Sequence, residues 1–285
     1  MNDTRITYES LLSDIAALGT RDGVNLIAFS GGVDSSLVAR AVFDVFPENS
    51  EAVMALSPSV SRAMREQAAT IAALIGIPLR TVQTAEHRDP TYIANDGMSC
   101  YICKTHIYAA MIAVEEDAER RPGRVVLFSG NNAEDMQDPT RVGIRAAREH
   151  AVCSPLERFS KADVRALSRH AGLPNWQAAA SPCLRSRLQA GVPATAEHLH
   201  RIEEAEKRLR LLFGLAEDVN FRVRQLPGDE AMVEIDAPLL ERIDLAHCRD
   251  LLLPLGFAAV GKRAFRSGSV STVPPESSPQ QASSS

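Results

Sequence analysis

The stretch Ser30-Gly31-Gly32-Val33-Asp34-Ser35-Ser36 lies between an apolar run (24–29) and a helix-forming run (35–46). Two glycines let a backbone turn tightly and approach an anion closely. The helix that follows offers unpaired N–H groups and the positive end of its dipole, and the serines add hydroxyl donors. Such a loop is built to cradle a pyrophosphate. It matches neither G-x-x-x-x-G-K nor G-x-G-x-x-G. A loop lacking the Walker lysine suits ATP cleavage between the α and β phosphates, with the departing pyrophosphate held by the loop. The competing reading is a glycine turn that only joins strand to helix.

The cysteines come next. Cys100 and Cys103 have the C-x-x-C spacing that brings two thiolates to one metal, zinc or iron–sulfur. One pair cannot complete a site; the alternatives are a cluster that recruits Cys183, half a zinc site, or a metal-free pair at a helix start. Cys183 lies near Arg185 and Arg187, cations that favour the thiolate needed for attack or ligation; otherwise it is an inert loop cysteine. Cys153 and Cys248 read as small core residues.

Lys104 follows the pair and is placed to reach an ATP phosphate or a carboxylate under attack, unless it is merely solvated. Asp34 and Asp135 are candidates for positioning Mg²⁺, which neutralises triphosphate charge; Asp34 also complements a helix dipole. Arg222 and Arg224 flank Val223 in an expected strand, so both guanidiniums project from one face. Aligned forks suit a phosphate or carboxylate, against the alternative of a solvated strand face. His87, His106 and His150 show no ligand spacing and receive no role.

These residues need a frame. Apolar runs at 24–29, 52–56, 79–82 and 125–128 alternate with helix-like stretches at 35–46, 61–75 and 101–118. Such alternation implies an α/β fold, a Rossmann-like parallel sheet covered by helices on both faces. Ligands bind such sheets outside the carboxyl ends of the strands. The loops after Phe29, Leu56 and Phe128 should therefore share one site, which adds Ser57, Gly130 and Asn131 to Ser30–36 and Asp135. A helix is expected from Ser160, with Asp163 at the reciprocal capping position. Residues 195–213 read as an amphipathic helix capped by Thr195. Strands at 220–225 and 232–235, a helix at 238–253 and an extended segment at 258–265 follow. The expected division is an ATP-binding domain (1–175), a cysteine loop or linker (176–194), a smaller C-terminal α+β domain (195–268) and a disordered tail (269–285).

Hydrophobic residues make up 45% and charged residues 24%, the composition of a soluble globular protein. No run approaches the about 20 apolar residues of a membrane span. The first residues lack the basic-then-apolar pattern of a secretory signal, so the expectation is a cytoplasmic protein. Five cysteines, an odd number, argue there against a disulfide framework. A net charge of −5, from 31 basic and 36 acidic residues, lacks the positive field that drives nucleic-acid binding.

The Ser-Gly-Gly-Val-Asp-Ser-Ser loop resembles that of the PP-loop ATP pyrophosphatases, the adenine-nucleotide α-hydrolase superfamily, whose members activate a carbonyl or carboxylate as an adenylate. Five further segments occur in order: Ser99-Cys100-Tyr101-Ile102-Cys103-Lys104; Ser129-Gly130-Asn131-Asn132-Ala133-Glu134-Asp135; Ser181-Pro182-Cys183-Leu184-Arg185-Ser186-Arg187; Phe221-Arg222-Val223-Arg224; and Phe265-Arg266-Ser267-Gly268-Ser269. With the loop they resemble the LarE family, ATP-dependent sulfurtransferases of nickel-pincer cofactor synthesis, over about residues 8–270. Departures are Asn131 for the usual Thr, Glu134 for Asp, and Gln189-Ala190-Gly191 for Pro-Tyr-Gly.

The resemblance implies a nucleotide-like dicarboxylate substrate, pyridinium-3,5-biscarboxylic acid mononucleotide, whose carboxylate is adenylated and becomes a thiocarboxylate. It gives Cys183 the attack on the adenylate, with Lys104 and Asp34 assisting. It makes Ser186, Arg187, Glu206, Arg222, Arg224 and Glu234 the substrate-binding set. It implies ATP and Mg²⁺, and a homo-oligomer. In one branch the cysteine gives up its own sulfur and becomes dehydroalanine. In the other, three cysteines, here Cys100, Cys103 and Cys183, hold a 4Fe–4S cluster, and this sequence fits that branch. The rival readings are another PP-loop enzyme, such as a tRNA thiolase or an amidotransferase-type synthetase, and a non-catalytic nucleotide or metal sensor.

Overall fold

The computed structural model describes residues 7–116, 123–138, 140–179, 182–216 and 219–266, the side chains of 114–116 excepted. Ser181, residues 267–269 of the last motif and the expected tail lie outside the described residues.

Four strands, β1 (Val24–Ala28), β2 (Ser50–Leu56), β3 (Leu79–Gln83) and β4 (Val125–Phe128), form a wholly parallel sheet in the order β3-β2-β1-β4. The runs of β1, β2 and β4 lack regular polar alternation because both faces are covered, whereas the edge strand β3 exposes Thr81 and Gln83. On one face α1 (Tyr8–Leu18), α2 (Val33–Val45), α3 (Arg62–Ile75) and α8 (Lys161–His170) bury Leu11, Ile15, Leu37, Val42, Ile71 and Leu167. On the other, α5 (Ser99–Glu116) and α7 (Gly143–Glu149) pack Tyr108, Met111 and Ala146 against Leu26, Val53 and Leu127. Short helices α4 (Pro90–Ala94) and α6 (Ala133–Gln137) sit beyond the strand ends. The α/β expectation holds.

Capping sets several boundaries. Ser61 caps α3 through Met64 N–H, and Ser160 and Asp163 form the expected reciprocal box at α8. The helices α4, α6 and α7 were not foreseen; each is too short to show a period.

After residue 195, α9 (Ala196–Phe213), capped by Thr195, and α10 (Leu245–Leu252) cover a three-stranded sheet. Its strands β5 (Phe221–Leu226), β6 (Glu230–Ile235) and β7 (Ala259–Ala264) lie in that order, β5–β6 antiparallel and β6–β7 parallel. Phe221, Val223, Val233, Cys248 and Leu252 fill its core. The single helix expected over 238–253 is instead a 3-10 turn, Ala237–Arg242, followed by α10. Ile243 is extended, and Asp244 accepts the Ala246 N–H at 2.8 Å, starting a new helix.

Candidate functional site

The carboxyl ends of all four parallel strands open into one cavity of about 430 Å³. β1 contributes Ser30, Gly32, Asp34 and Ser35; β2 contributes Ser57 and Ser59; β3 contributes Glu86; β4 contributes Ser129, Gly130, Asn131 and Asp135. The strand order reverses between β1 and β4, the crevice where such sheets bind ligands.

The phosphate loop is held from within. Gly31 has φ +72°, and a Cβ there would stand 2.7 Å from Ala68 Cα, so both conformation and space demand glycine. Asn175 Nδ2 donates to Gly31 O at 2.9 Å and Ser36 Oγ at 3.0 Å. Gln67 donates to the same carbonyl at 3.1 Å. Ser35 Oγ donates to Gly32 O at 3.1 Å and receives Ser30 N–H at 3.3 Å. Of the expected loop residues, Ser30, Gly32, Asp34 and Ser35 face the cavity; Gly31, Val33 and Ser36 are not among its lining. A Cβ at Gly130 would lie 2.9 Å from Ser35 N, so the β4 loop closes directly over the start of α2.

Asp34 Oδ1 accepts from Asn132 Nδ2 at 3.0 Å. Burial raises its pKa above the usual carboxylate range; the Asn132 bond opposes this and the charge of Asp135 adds to it. Asp135 is itself paired with Arg141 at 2.8 Å. Asp34 and Asp135 line the same cavity, and paired carboxylates are oxygen donors that a divalent cation takes.

The same cavity is lined by Cys100, Cys103, Lys104, Cys183 and Arg185. Cys183 is positioned by its successor: Leu184 is 2% exposed in an apolar cluster with Tyr92, Leu188 and Leu199, and its N–H donates to Ser59 O at 2.9 Å. Arg185 donates to Asn95 Oδ1 at 2.7 Å and to Cys100 Sγ at 3.1 Å. Burial pushes the Cys103 thiol up, aided by Cys183 and Glu86. Lys104 is held protonated by Tyr108, against its burial and with the help of the three thiols; its Nζ lies 5.7 Å from the Tyr108 ring centroid. Three thiols on one cavity are a donor set that iron–sulfur clusters take. Among the described residues, no group of three His, Cys, Asp or Glu stands together as a ready site for a metal ion.

The second expected set lies behind Cys183 rather than on the cavity. Arg187 pairs with Glu206 at 3.0 Å and donates to Cys183 O at 3.2 Å and Ser186 Oγ at 3.1 Å. Glu206 also accepts Val223 N–H at 3.0 Å. Arg224 pairs with Glu234 at 2.7 Å and donates to Ser186 O at 2.6 Å, and Arg263 reaches Glu234 at 2.6 Å. Arg222 and Arg224 are 6% and 5% exposed, which excludes a solvated strand face. Three guanidiniums, of Arg187, Arg224 and Arg263, thus pair with two carboxylates, and Arg222 donates to Phe221 O at 2.7 Å. Burial and the nearby Arg187 push the Arg222 pKa down to about 10.

Sequence reasoning missed Glu86, Asn175, Asn95 and Arg141. A lone Glu or Asn outside a motif carries no signal. Extending the strand-end rule to the loop after β3 brings in Glu86. Cys248 is fully buried in the small core, as expected, and Cys153 packs against the large one.

Comparison with known proteins adds two relatives; no family model matches the chain. The chain is 41% identical over 189 residues to an uncharacterized protein, slr1717, of Synechocystis sp., covering 66% of this chain and 69% of that protein. It is 32% identical over 190 residues to the pyridinium-3,5-bisthiocarboxylic acid mononucleotide synthase of Lactiplantibacillus plantarum, covering 65% and 67%. The chain belongs to the LarE family. In this LarE chain the 30–36 loop and Cys183 line one cavity, with the two arginines of β5 buried behind the cysteine. No described helix of this LarE chain is long and apolar enough to cross a membrane.

Proposed function

We propose that the chain is an ATP-dependent sulfurtransferase that converts a carboxylate of pyridinium-3,5-biscarboxylic acid mononucleotide into a thiocarboxylate through Cys183. The observation that carries this is the shared cavity: the phosphate loop and the Cys183 thiol line the same space. The name of the Lactiplantibacillus relative, a synthase of the corresponding bisthiocarboxylic acid mononucleotide, supports the substrate.

The residues divide the work. Ser30, Gly32 and Ser35 hold the β and γ phosphates against the start of α2, with Gly31, Val33 and Ser36 as the loop's frame. Ser57, Gly130 and Asn131 border the nucleotide, and Asp34 and Asp135 hold Mg²⁺. A substrate carboxylate oxygen attacks the α phosphorus and pyrophosphate leaves. Lys104 stabilises charge on the acyl adenylate. The Cys183 sulfur then attacks the activated carbonyl carbon, the bond to AMP breaks, and a thioester remains. Breaking the Cys183 Cβ–S bond with loss of the α proton releases the thiocarboxylate and leaves dehydroalanine.

Cys100, Cys103 and Cys183, which line the cavity together, are the residues that would hold a 4Fe–4S cluster. Such a cluster would supply sulfide and spare the cysteine. The arginines of the set Ser186, Arg187, Glu206, Arg222, Arg224 and Glu234 suit the substrate phosphate. A cytoplasmic homo-oligomer acting on a small molecule, with no nucleic acid or membrane partner, completes the reading.

The test is incubation of anaerobically purified protein with ATP, Mg²⁺ and the dicarboxylate, followed by mass spectrometry. AMP, pyrophosphate and a thiocarboxylate are expected. Both carboxylates retained, with tRNA thiolation instead, would reject the reading. Iron content and intact mass separate the two sulfur routes: brown, iron-bearing protein of unchanged mass marks the cluster, and loss of H₂S from Cys183 marks the sacrificial cysteine.

A further inference from the structure

Glu86 is the outlier among the cavity residues. Its side chain is 1% exposed, it lines the cavity, and among the described residues its Oε2 has no hydrogen-bond partner. A buried carboxylate oxygen left unpaired is costly, and each such group in a folded protein calls for a cause. Its position is fixed by the fold: it opens the 3-10 turn Glu86–Arg88, just beyond the carboxyl end of β3. It acts on the reactive end of the cavity, raising the Tyr92 phenol and the Cys103 thiol together with burial and Cys183.

We infer that Glu86 is a specificity-determining residue that supplies the counter-charge for a cationic aromatic ring, the pyridinium of the substrate. This rests on the function proposed above. The reacting carboxylate is bonded directly to the ring, so a carbonyl carbon within bonding reach of Cys183 sulfur brings the ring with it. The ring must then enter the space where Cys183, Tyr92, Cys103 and Glu86 gather. The substrate carries anionic carboxylates and phosphate around one delocalised positive charge. The chain offers the matching pattern: Lys104 and Arg185 on the cavity for the carboxylates, buried arginines behind Cys183, and Glu86 Oε2, among the described residues the one buried carboxylate oxygen without a partner. A neutral ring of the same shape gains nothing from Glu86 and leaves it uncompensated, which makes the residue a filter as well as a contact.

The test compares two ligands, the pyridinium-3,5-dicarboxylate mononucleotide and its ring-reduced, neutral dihydropyridine form. Binding to the full chain is measured by calorimetry with a non-hydrolysable ATP analogue present. Wild-type protein should prefer the cationic ring by about tenfold or more. In Glu86→Gln, which keeps shape and removes charge, the preference should fall toward unity. Affinity for the ATP analogue should stay within about twofold and the melting temperature should not drop. Glu86→Asp, which retains the charge but withdraws it, should give an intermediate preference and decides the matter if the Gln variant does not fold. An unchanged preference in Glu86→Gln, equal weakening of both rings and of ATP, or no preference in wild type each overturns the inference. Wild type that thiolates the dicarboxylate without a cation preference sinks this inference alone. Wild type that neither binds nor thiolates it sinks the functional reading, and this inference with it.

Discussion

Asp34 and Glu234 are both carboxylates inside the fold, held under opposite conditions. Glu234 is fully buried in the small sheet and accepts from Arg224 and Arg263 at 2.7 and 2.6 Å. Asp34 faces the cavity, accepts from the neutral Asn132, and feels the like charge of Asp135. Glu86 extends the first pattern, with an oxygen that no described residue meets. The network behind Cys183 ties the small sheet to the cysteine loop through Arg187 and Arg224 and fixes where that loop sits. The cavity wall is incomplete without ligands, so it stores the polar groups that substrate and cation must satisfy.

Substitutions on the two sides should therefore separate activity from stability. The largest effect is expected for Cys183→Ala: thiocarboxylate formation should fall by about 10³-fold or more, while pyrophosphate release from ATP and the dicarboxylate persists. Loss of both together would mean that the cysteine loop also builds the ATP site. Asp34→Asn should lower pyrophosphate release by about 10²-fold without lowering the melting temperature. The sign follows from its raised pKa. A carboxyl that favours its neutral form in the folded state stabilises most below its unfolded pKa, and loses that contribution as pH rises through the folded value. At neutral pH the ionised Asp34 opposes folding, and Asn relieves it. For the same reason, activity at limiting Mg²⁺ should decline with falling pH at a point above the ordinary carboxylate range.

Glu234→Ala should do the reverse. It strands Arg224 in a buried site and should cost about 3–5 kcal/mol in denaturant titrations. Pyrophosphate release at saturating dicarboxylate, by the protein that remains folded, should be close to wild type. Normal stability in this variant would erase the distinction between the two regions. The smallest effect is expected for Asn175→Ala, which removes the two bonds holding Gly31 O and Ser36 Oγ. A loss of about 1–2 kcal/mol, with a several-fold rise in KM for ATP, is expected.

The parallel sheet was legible because its apolar runs recur at regular intervals and the first three are each followed by a helical period. The phosphate loop was legible for a related reason: glycine at Gly31 answers a backbone demand that local sequence displays. The break at Asp244 was not, because a side-chain cap competes with helix continuation only in the folded geometry. The arginines of β5 could be assigned to one strand face by their alternation. Whether that face met water or a carboxylate depended on β6 and on the cysteine loop, both distant in sequence. Glu86 and Asn175 owe their roles wholly to such long-range contacts.

The central claim is that the phosphate loop and Cys183 act on one substrate molecule in one cavity. Acid-quenched intact-mass and peptide mapping of stoichiometric reactions of iron-free protein with ATP, Mg²⁺ and the dicarboxylate tests it most directly. A substrate adduct on Cys183, formed with an equal amount of AMP, is the expected result. AMP formation with no adduct at Cys183, or with the adduct on another residue, would contradict it.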